Sequence, residues 1–180
     1  MPEPPLADEA LALVPLGRAH LTALERLGED PLVQRFTRVP QPFRRDEADW
    51  WLGLYERGWV DGSRAGFAIL EGPEPSFAGM IAFVSLRLDA AEAEVGYIVA
   101  PERRGRGIAS RALRLITEWG FRELALGRIE LRAELENPAS LAVAEHCGYT
   151  REGILRSVHL KAGRRGDMAI YSRLPTDAPA

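Results

Sequence analysis

Cysteine is almost absent from this chain: there is one, Cys147, in 180 residues. A single thiol excludes an internal disulfide and any cysteine-rich zinc site. Long apolar runs are missing too, and none approaches the roughly 18 residues that a membrane-crossing helix needs. The opening MPEPPLADEA lacks the basic, apolar character of a secretory leader. A soluble, cytoplasmic protein with no membrane partner is expected. Excess positive charge is also lacking. The formal net charge is −3, a poor balance for general nucleic-acid binding, so no nucleic-acid partner is expected. There is no internal repeat, and no metal is expected.

What remains is a globular mixture, 46% hydrophobic and 27% charged. A chain of this length is expected to form one domain and to bury roughly 70% of its unfolded surface. Residues 1–9 are expected to be a flexible leader, residues 10–174 the domain, and residues 175–180 a disordered tail. Ala10–Leu16 reads as a first strand. Ala19–Leu27 carries leucines at three-residue spacing and reads as a helix. Asp30-Pro31 opens a short second helix, with Asp30 as cap and Pro31 in the first turn. Arg38–Arg45 is a proline-containing loop, followed by a helix over Glu47–Gly58.

That helix carries Trp50 and Trp51, which point roughly 100° apart. Core packing is the expectation for them; the alternative has one indole lining a cleft. Gly66–Glu71 and Phe77–Leu86 read as paired strands. In Arg128–Glu136, apolar and charged residues alternate, the signal of a half-buried strand. Asn137-Pro138 then opens a helix that stops at Gly148. Tyr149–Leu160 and Asp167–Leu174 form a last antiparallel pair, joined through Lys161–Gly166. The order β-α-α-α-β-β-β-α-β-α-β-β describes an α/β domain with a mixed sheet.

The centre of the chain is AEVGYIVAPERRGRGIASRALRL, Ala93–Leu115. Val95, Tyr97 and Val99 share one face of a strand; Glu94, Gly96 and Ile98 share the other. Pro101 ends it. The glycines at 105 and 107 permit positive φ and close approach to another group. Ala109, Ala112, Leu113, Ile116 and Trp119 then recur at helical spacing, so a helix starts near Ile108. A helix start is an anion site, and Arg103, Arg104, Arg106 and Arg111 surround this one. A phosphate-bearing ligand is expected there. No lysine follows the glycines, which excludes a P-loop, and serine stands where a Rossmann fingerprint has its third glycine.

The spacing Arg104-x-x-Gly107-x-Ala109 resembles the acetyl-CoA signature Arg/Gln-x-x-Gly-x-Gly/Ala of the GNAT N-acetyltransferases. A second motif, Asn137–Tyr149 (NPASLAVAEHCGY), resembles Asn-x-x-Ser followed by Gly-Phe/Tyr in the branch typified by ribosomal-protein N-terminal acetyltransferases. The ending Gly163–Ser172, GRRGDMAIYS, is similar to that branch as well. Tyr149 replaces a commoner Phe, and His159 stands where an aromatic is expected. The resemblance implies a GNAT fold: a mixed, mostly antiparallel central sheet of about six to seven strands, flanked by helices. It implies acetyl-CoA as co-substrate and an amine acceptor, either a protein N-terminus or a small molecule. A homodimer is left open.

The resemblance also assigns residues. Arg104, Gly105, Arg106, Gly107, Ile108, Ala109 and Ser110 would hold the pyrophosphate. The backbone of Ile98 and Val99 would pair with the pantetheine and supply an oxyanion donor. Asn137 would touch the pantetheine, and Ser140 would donate to the sulfur. Glu94, or Glu92 on the same face, would be the base. An α-amino group of pKa about 8 is partly neutral at pH 7, whereas a lysine amine near about 10.4 is almost wholly charged. Adjacent residues of a helix do not face each other, so His146 and Cys147 are not expected to form a nucleophilic pair.

The acceptor is expected between the Arg38–Arg45 loop with its helix and the Ser157–Gly166 hairpin. Arg44, Arg45, His159, Lys161, Arg164 and Arg165 make those segments basic, which favours an acidic or phosphorylated acceptor over a polyamine. The competing function is a non-catalytic acyl-CoA sensor.

Overall fold

Residues 65–69 and 78–83 are buried without alternation, so the middle of the sheet has two faces to cover, and helices cover both. The computed structural model describes residues 6–178. Its elements are β1 (Leu6–Ala7), β2 (Leu11–Pro15), α1 (Leu21–Gly28), α2 (Pro31–Phe36), α3 (Arg45–Asp61), β3 (Ala65–Glu71), β4 (Ser76–Arg87), β5 (Glu92–Val99), α4 (Ile108–Glu123), β6 (Arg128–Glu134), α5 (Pro138–His146), β7 (Thr150–Lys161) and β8 (Arg164–Arg173). The eight strands form one sheet in the order β1-β2-β3-β4-β5-β6-β8-β7.

This is one strand more than the expected six to seven. The addition is β1, where Leu6 and Ala7 of the expected leader pair with Leu13 and Ala12. Residues 1–5 and 179–180 lie outside the described residues. In the expected tail, Asp177 Oδ2 accepts the Leu174 N–H at 2.8 Å and closes a turn. The last hairpin is also tighter than expected. Ala162 and Gly163, at φ 49° and 76°, connect β7 to β8 directly, as a two-residue hairpin turn requires.

Two apolar clusters divide along the sheet. On one face Ala93 and Val95 of β5 and Ile129, Leu131 and Ala133 of β6 pack under Ile108, Leu113 and Ile116 of α4. On the other, Ala68, Met80 and Ala82 pack against Leu24, Leu27, Leu52 and Tyr55 of α1 and α3.

All neighbouring strands run antiparallel except β5 and β6. These two pair in parallel only from Glu92–Arg128 to Val95–Leu131. Beyond that point Gly96–Val99 stay with β4, and Arg132–Glu134 stay with β8. The sheet therefore splits into a wedge, and the wedge positions the site.

Candidate active site

The wedge opens into a cavity of about 900 Å³. One wall is the edge of β5 that β6 no longer pairs. Ala100 N–H donates back to Ala78 O at 2.9 Å, and the Ile98 carbonyl oxygen lies against Gly79 of β4. Backbone groups alternate in direction along a strand. Ile98 therefore turns its N–H and C=O to β4, whereas Tyr97 and Val99 turn theirs into the wedge. Ile98, expected to pair through its backbone, thus offers the cavity its side chain, whereas the Val99 N–H points into it.

At the wide end of the wedge, Gly105 and Gly107 lie at φ 73° and 75°. Gly107 caps α4, whose first backbone bond runs from Arg111 N–H to Gly107 O at 3.0 Å. The amides of Ile108, Ala109 and Ser110 have no partner within the helix. They face the glycine loop with the positive end of the helix dipole. An added Cβ at Gly105 or Gly107 meets no protein atom within 4 Å. The loop is thus shaped to let a ligand approach the backbone, which fits a pyrophosphate.

The four arginines are not free charges around this loop. Arg104 Nη2 lies 2.6 Å from Asp30 Oδ1, and its Nε donates to Val99 O at 3.1 Å. Arg103 and Arg106 share Glu71 at 2.8 and 3.1 Å. Arg111 Nε donates to Asp8 at 2.9 Å. Burial alone would raise the Asp30 carboxyl, but Arg104 and the N–H groups of Val33 and Leu32 hold it below its ordinary value. Arg104 thus braces the strand end against α2 as well as edging the loop.

On α5, Asn137 Oδ1 accepts the Ser140 N–H at 3.2 Å, so its amide NH₂ is the group left for a ligand. Ser140 Oγ lies 2.9 Å from the Tyr97 hydroxyl. Burial pushes the Tyr97 hydroxyl above its ordinary value, so it stays protonated. Cys147 is fully buried with Sγ 3.3 Å from Ser110 O, and burial raises its thiol. A raised, enclosed thiol is a poor nucleophile.

The opposite face of β5 and β6 forms the floor of the cavity. Glu94 faces it beside Arg132, whose Nε lies 3.8 Å from Glu94 Oε2, with Glu130 bonded to Arg132 at 3.0 Å. Glu92 pairs with Arg87 and is not part of the cavity wall. The alternation in Arg128–Glu136 carried this signal, but its polar face meets a cleft as well as bulk solvent. Trp50 and Trp51 both line the cavity; Trp51 packs edge-on against Phe43 and Tyr55 of the second cluster, as core packing requires, whereas Trp50 is 55% exposed.

The basic acceptor surface is mostly engaged within the protein. Arg45 lies 3.6 Å from Glu25, Arg164 pairs with Glu136 at 3.0 Å, and Arg165 donates to Ser157 O at 2.7 Å. Lys161 donates to Val39 O, and burial lowers its pKa. His159 bonds Glu134. Arg45 and Arg164, expected to face the acceptor as free charges, are thus paired with carboxylates of the protein itself. Among the described residues no three His, Cys, Asp or Glu converge as metal ligands. No helix among them is long and apolar enough to cross a membrane.

The chain matches the acetyltransferase (GNAT) domain over residues 10–150. It is 30% identical over 169 residues to the uncharacterized N-acetyltransferase p20 of Bacillus licheniformis, covering 94% of this chain and 95% of that one. It is 29% identical over 147 residues to spermidine N(1)-acetyltransferase of Escherichia coli K12, covering 81% and 76%. The fold is similar to that of RimL, a ribosomal alpha-N-protein acetyltransferase solved with coenzyme A. There the TM-score is 0.87 at 22% identity, over 95% of this chain and 98% of that one. Vibrio cholerae spermidine N-acetyltransferase, solved with CoA and spermine, gives 0.83 at 24% identity, over 94% and 98%. The split β5–β6 pair, the glycine loop at the start of α4 and a family match across most of the length lead to one conclusion: this chain belongs to the GNAT acetyltransferases, N-acetyltransferases that use acetyl-CoA.

Proposed function

We propose that the wedge transfers acetyl directly from acetyl-CoA to a primary amine, on a protein N-terminus or a small molecule, with Glu94 as base and Ser140 as donor to the sulfur. The observation that carries this reading is the end of β5–β6 pairing at Val95–Leu131. There, a backbone edge able to bind pantetheine lies beside a carboxylate on the acceptor side.

The α4 amides and the glycine loop bind the pyrophosphate, and Arg106, half exposed, lies at its edge. Val99 and the Asn137 amide hold the pantetheine, and the Val99 N–H donates to the carbonyl oxygen as negative charge develops. Glu94 takes a proton from the ammonium form of the acceptor, the neutral nitrogen bonds the carbonyl carbon, and the second amine proton passes through Ser140 to the sulfur. The carbon–sulfur bond breaks as that proton arrives, and CoA leaves Ser140, which is backed by Tyr97, as the thiol. Holding the thioester and amine together supplies much of the acceleration on its own.

Binding is tested by thermal unfolding. Acetyl-CoA at 100-fold excess over its Kd should stabilise the protein by about 2.7 kcal/mol, a Tm rise of roughly 5–10 °C for a domain of this size. 3′-Dephospho-CoA should do nearly as well, because the loop reads the pyrophosphate. No shift with any CoA ester at millimolar concentration would contradict the site.

A further inference from the structure

The polar face of β6 ends in a pair of side chains that the transfer chemistry does not use. Glu134 is 7% exposed, and His159 of β7 is 2% exposed. His159 Nδ1 is hydrogen-bonded to Glu134 Oε1, while His159 Nε2 is buried without a protein partner. Both residues line the same cavity as Glu94 and Trp51.

Local structure is arranged around this pair. Glu134 Oε1 would lie 2.9 Å from an added Cβ at Gly166, so residue 166 must stay small for the carboxylate to sit there. β7 is bulged between Leu155 and His159, with Ser157 at φ 59°. A bulge re-aims the side chains that follow it. Here His159 turns inward while Val158 and Leu160 on either side stay exposed.

We propose that the Glu134–His159 pair is a second anchor for the acceptor, taking a hydrogen bond from an acceptor N–H at His159 Nε2. The proposal rests on the transferase reading. A carboxylate at Nδ1 selects the tautomer with the proton on Nδ1, which leaves the Nε2 lone pair without a partner in a side chain that lines the cavity. The Glu134 carboxyl behind the ring fixes its orientation, and a lone pair there is complementary to an acceptor that carries amine or amide N–H groups.

Reach sets the class of acceptor. Glu94 lies level with Glu130 across the β5–β6 pairing, and Glu134 is further along the same face of β6. At about 3.3 Å per residue the offset is roughly 13 Å. With both side chains leaning into the cavity, the reacting nitrogen and the anchored donor lie on the order of 10 Å apart. A short monoamine cannot engage both. An extended chain with N–H donors along it can, and peptides and oligoamines share that chemistry.

The test compares propylamine, a tetrapeptide amide with a free N-terminus and spermidine as acceptors, in steady-state assays. The double variant His159→Phe/Glu134→Gln removes the anchor without stranding a buried carboxylate. For whichever long acceptor carries the donor, KM should rise at least tenfold, with kcat and the KM for acetyl-CoA within twofold. Propylamine should be unaffected. His159→Gln, which can place an amide oxygen near the Nε2 position, should recover most of the loss. Glu134→Gln alone should show the same ordering of acceptors, more weakly, and serves if the double variant does not fold. Equal losses for propylamine and the long acceptors, or no loss for either, would overturn the anchor while leaving the transferase reading intact. No turnover of any of the three by the unaltered protein would overturn both.

Discussion

Replacing Glu94 by Gln is expected to lower kcat/KM by about 10²–10⁴-fold at pH 7, or about 2.7–5.4 kcal/mol of transition-state stabilisation. The substitution keeps the shape of the side chain and removes its capacity to take a proton. Acetyl-CoA affinity should stay within about twofold, because Glu94 faces the floor on the acceptor side and not the glycine loop. The loss should shrink as pH rises toward the acceptor's own pKa, where a growing share of the amine is already neutral. A carboxylate needed only to pair with Arg132, 3.8 Å away, would be missed equally at every pH. Activity of Glu94→Gln within about threefold of the unaltered protein at pH 7 would remove it from the mechanism. Transfer would then rest on positioning, the Val99 N–H and Ser140.

The second large effect is on cofactor binding. Gly107→Val should weaken acetyl-CoA by at least about 100-fold in calorimetry, equivalent to about 2.7 kcal/mol. The cause is steric and local. Residue 107 sits at φ 75°, a conformation that a β-branched side chain strains by about 1–3 kcal/mol. The protein itself leaves the side chain room, since nothing lies within 4 Å of an added Cβ. The valine therefore projects where the pyrophosphate must approach the α4 amides. Gly107→Ala shares the strained φ but adds less volume, so it should lose less affinity. Unchanged affinity in the valine variant would show that the phosphates lie elsewhere.

Features that depend on neighbours in sequence were legible. The glycine loop, the start of α4, the Asn137 cap and the alternation of β6 all follow from local spacing. The wedge itself was not, because it depends on where β5 stops pairing with β6. The direction of the Ile98 backbone depends on its register with β4, and periodicity assigns side chains to faces without saying which edge a carbonyl meets.

The arginines misled for a related reason. Arg104 finds Asp30 across 74 positions of sequence, and Arg111 finds Asp8 across 103. No local pattern announces such partners. The polar side of β6 was visible as a polar side, but only the fold turns Arg132, Glu134 and His159 into the floor and wall of a cleft. Trp50 and Trp51 show the same limit, since their spacing fits a core and a cleft mouth alike.

The central claim is direct transfer from acetyl-CoA to an amine. It is tested most directly by incubating the protein with acetyl-CoA and a panel of peptides, polyamines and aminoglycosides, following free CoA thiol and the mass of both acceptor and protein. The account predicts CoA release that depends on the amine, an acceptor heavier by one acetyl group, and a protein of unchanged mass. Binding of acetyl-CoA with no amine-dependent thiol release would make the chain a sensor. An acetylated protein that then passes its acetyl group to the amine would contradict direct transfer.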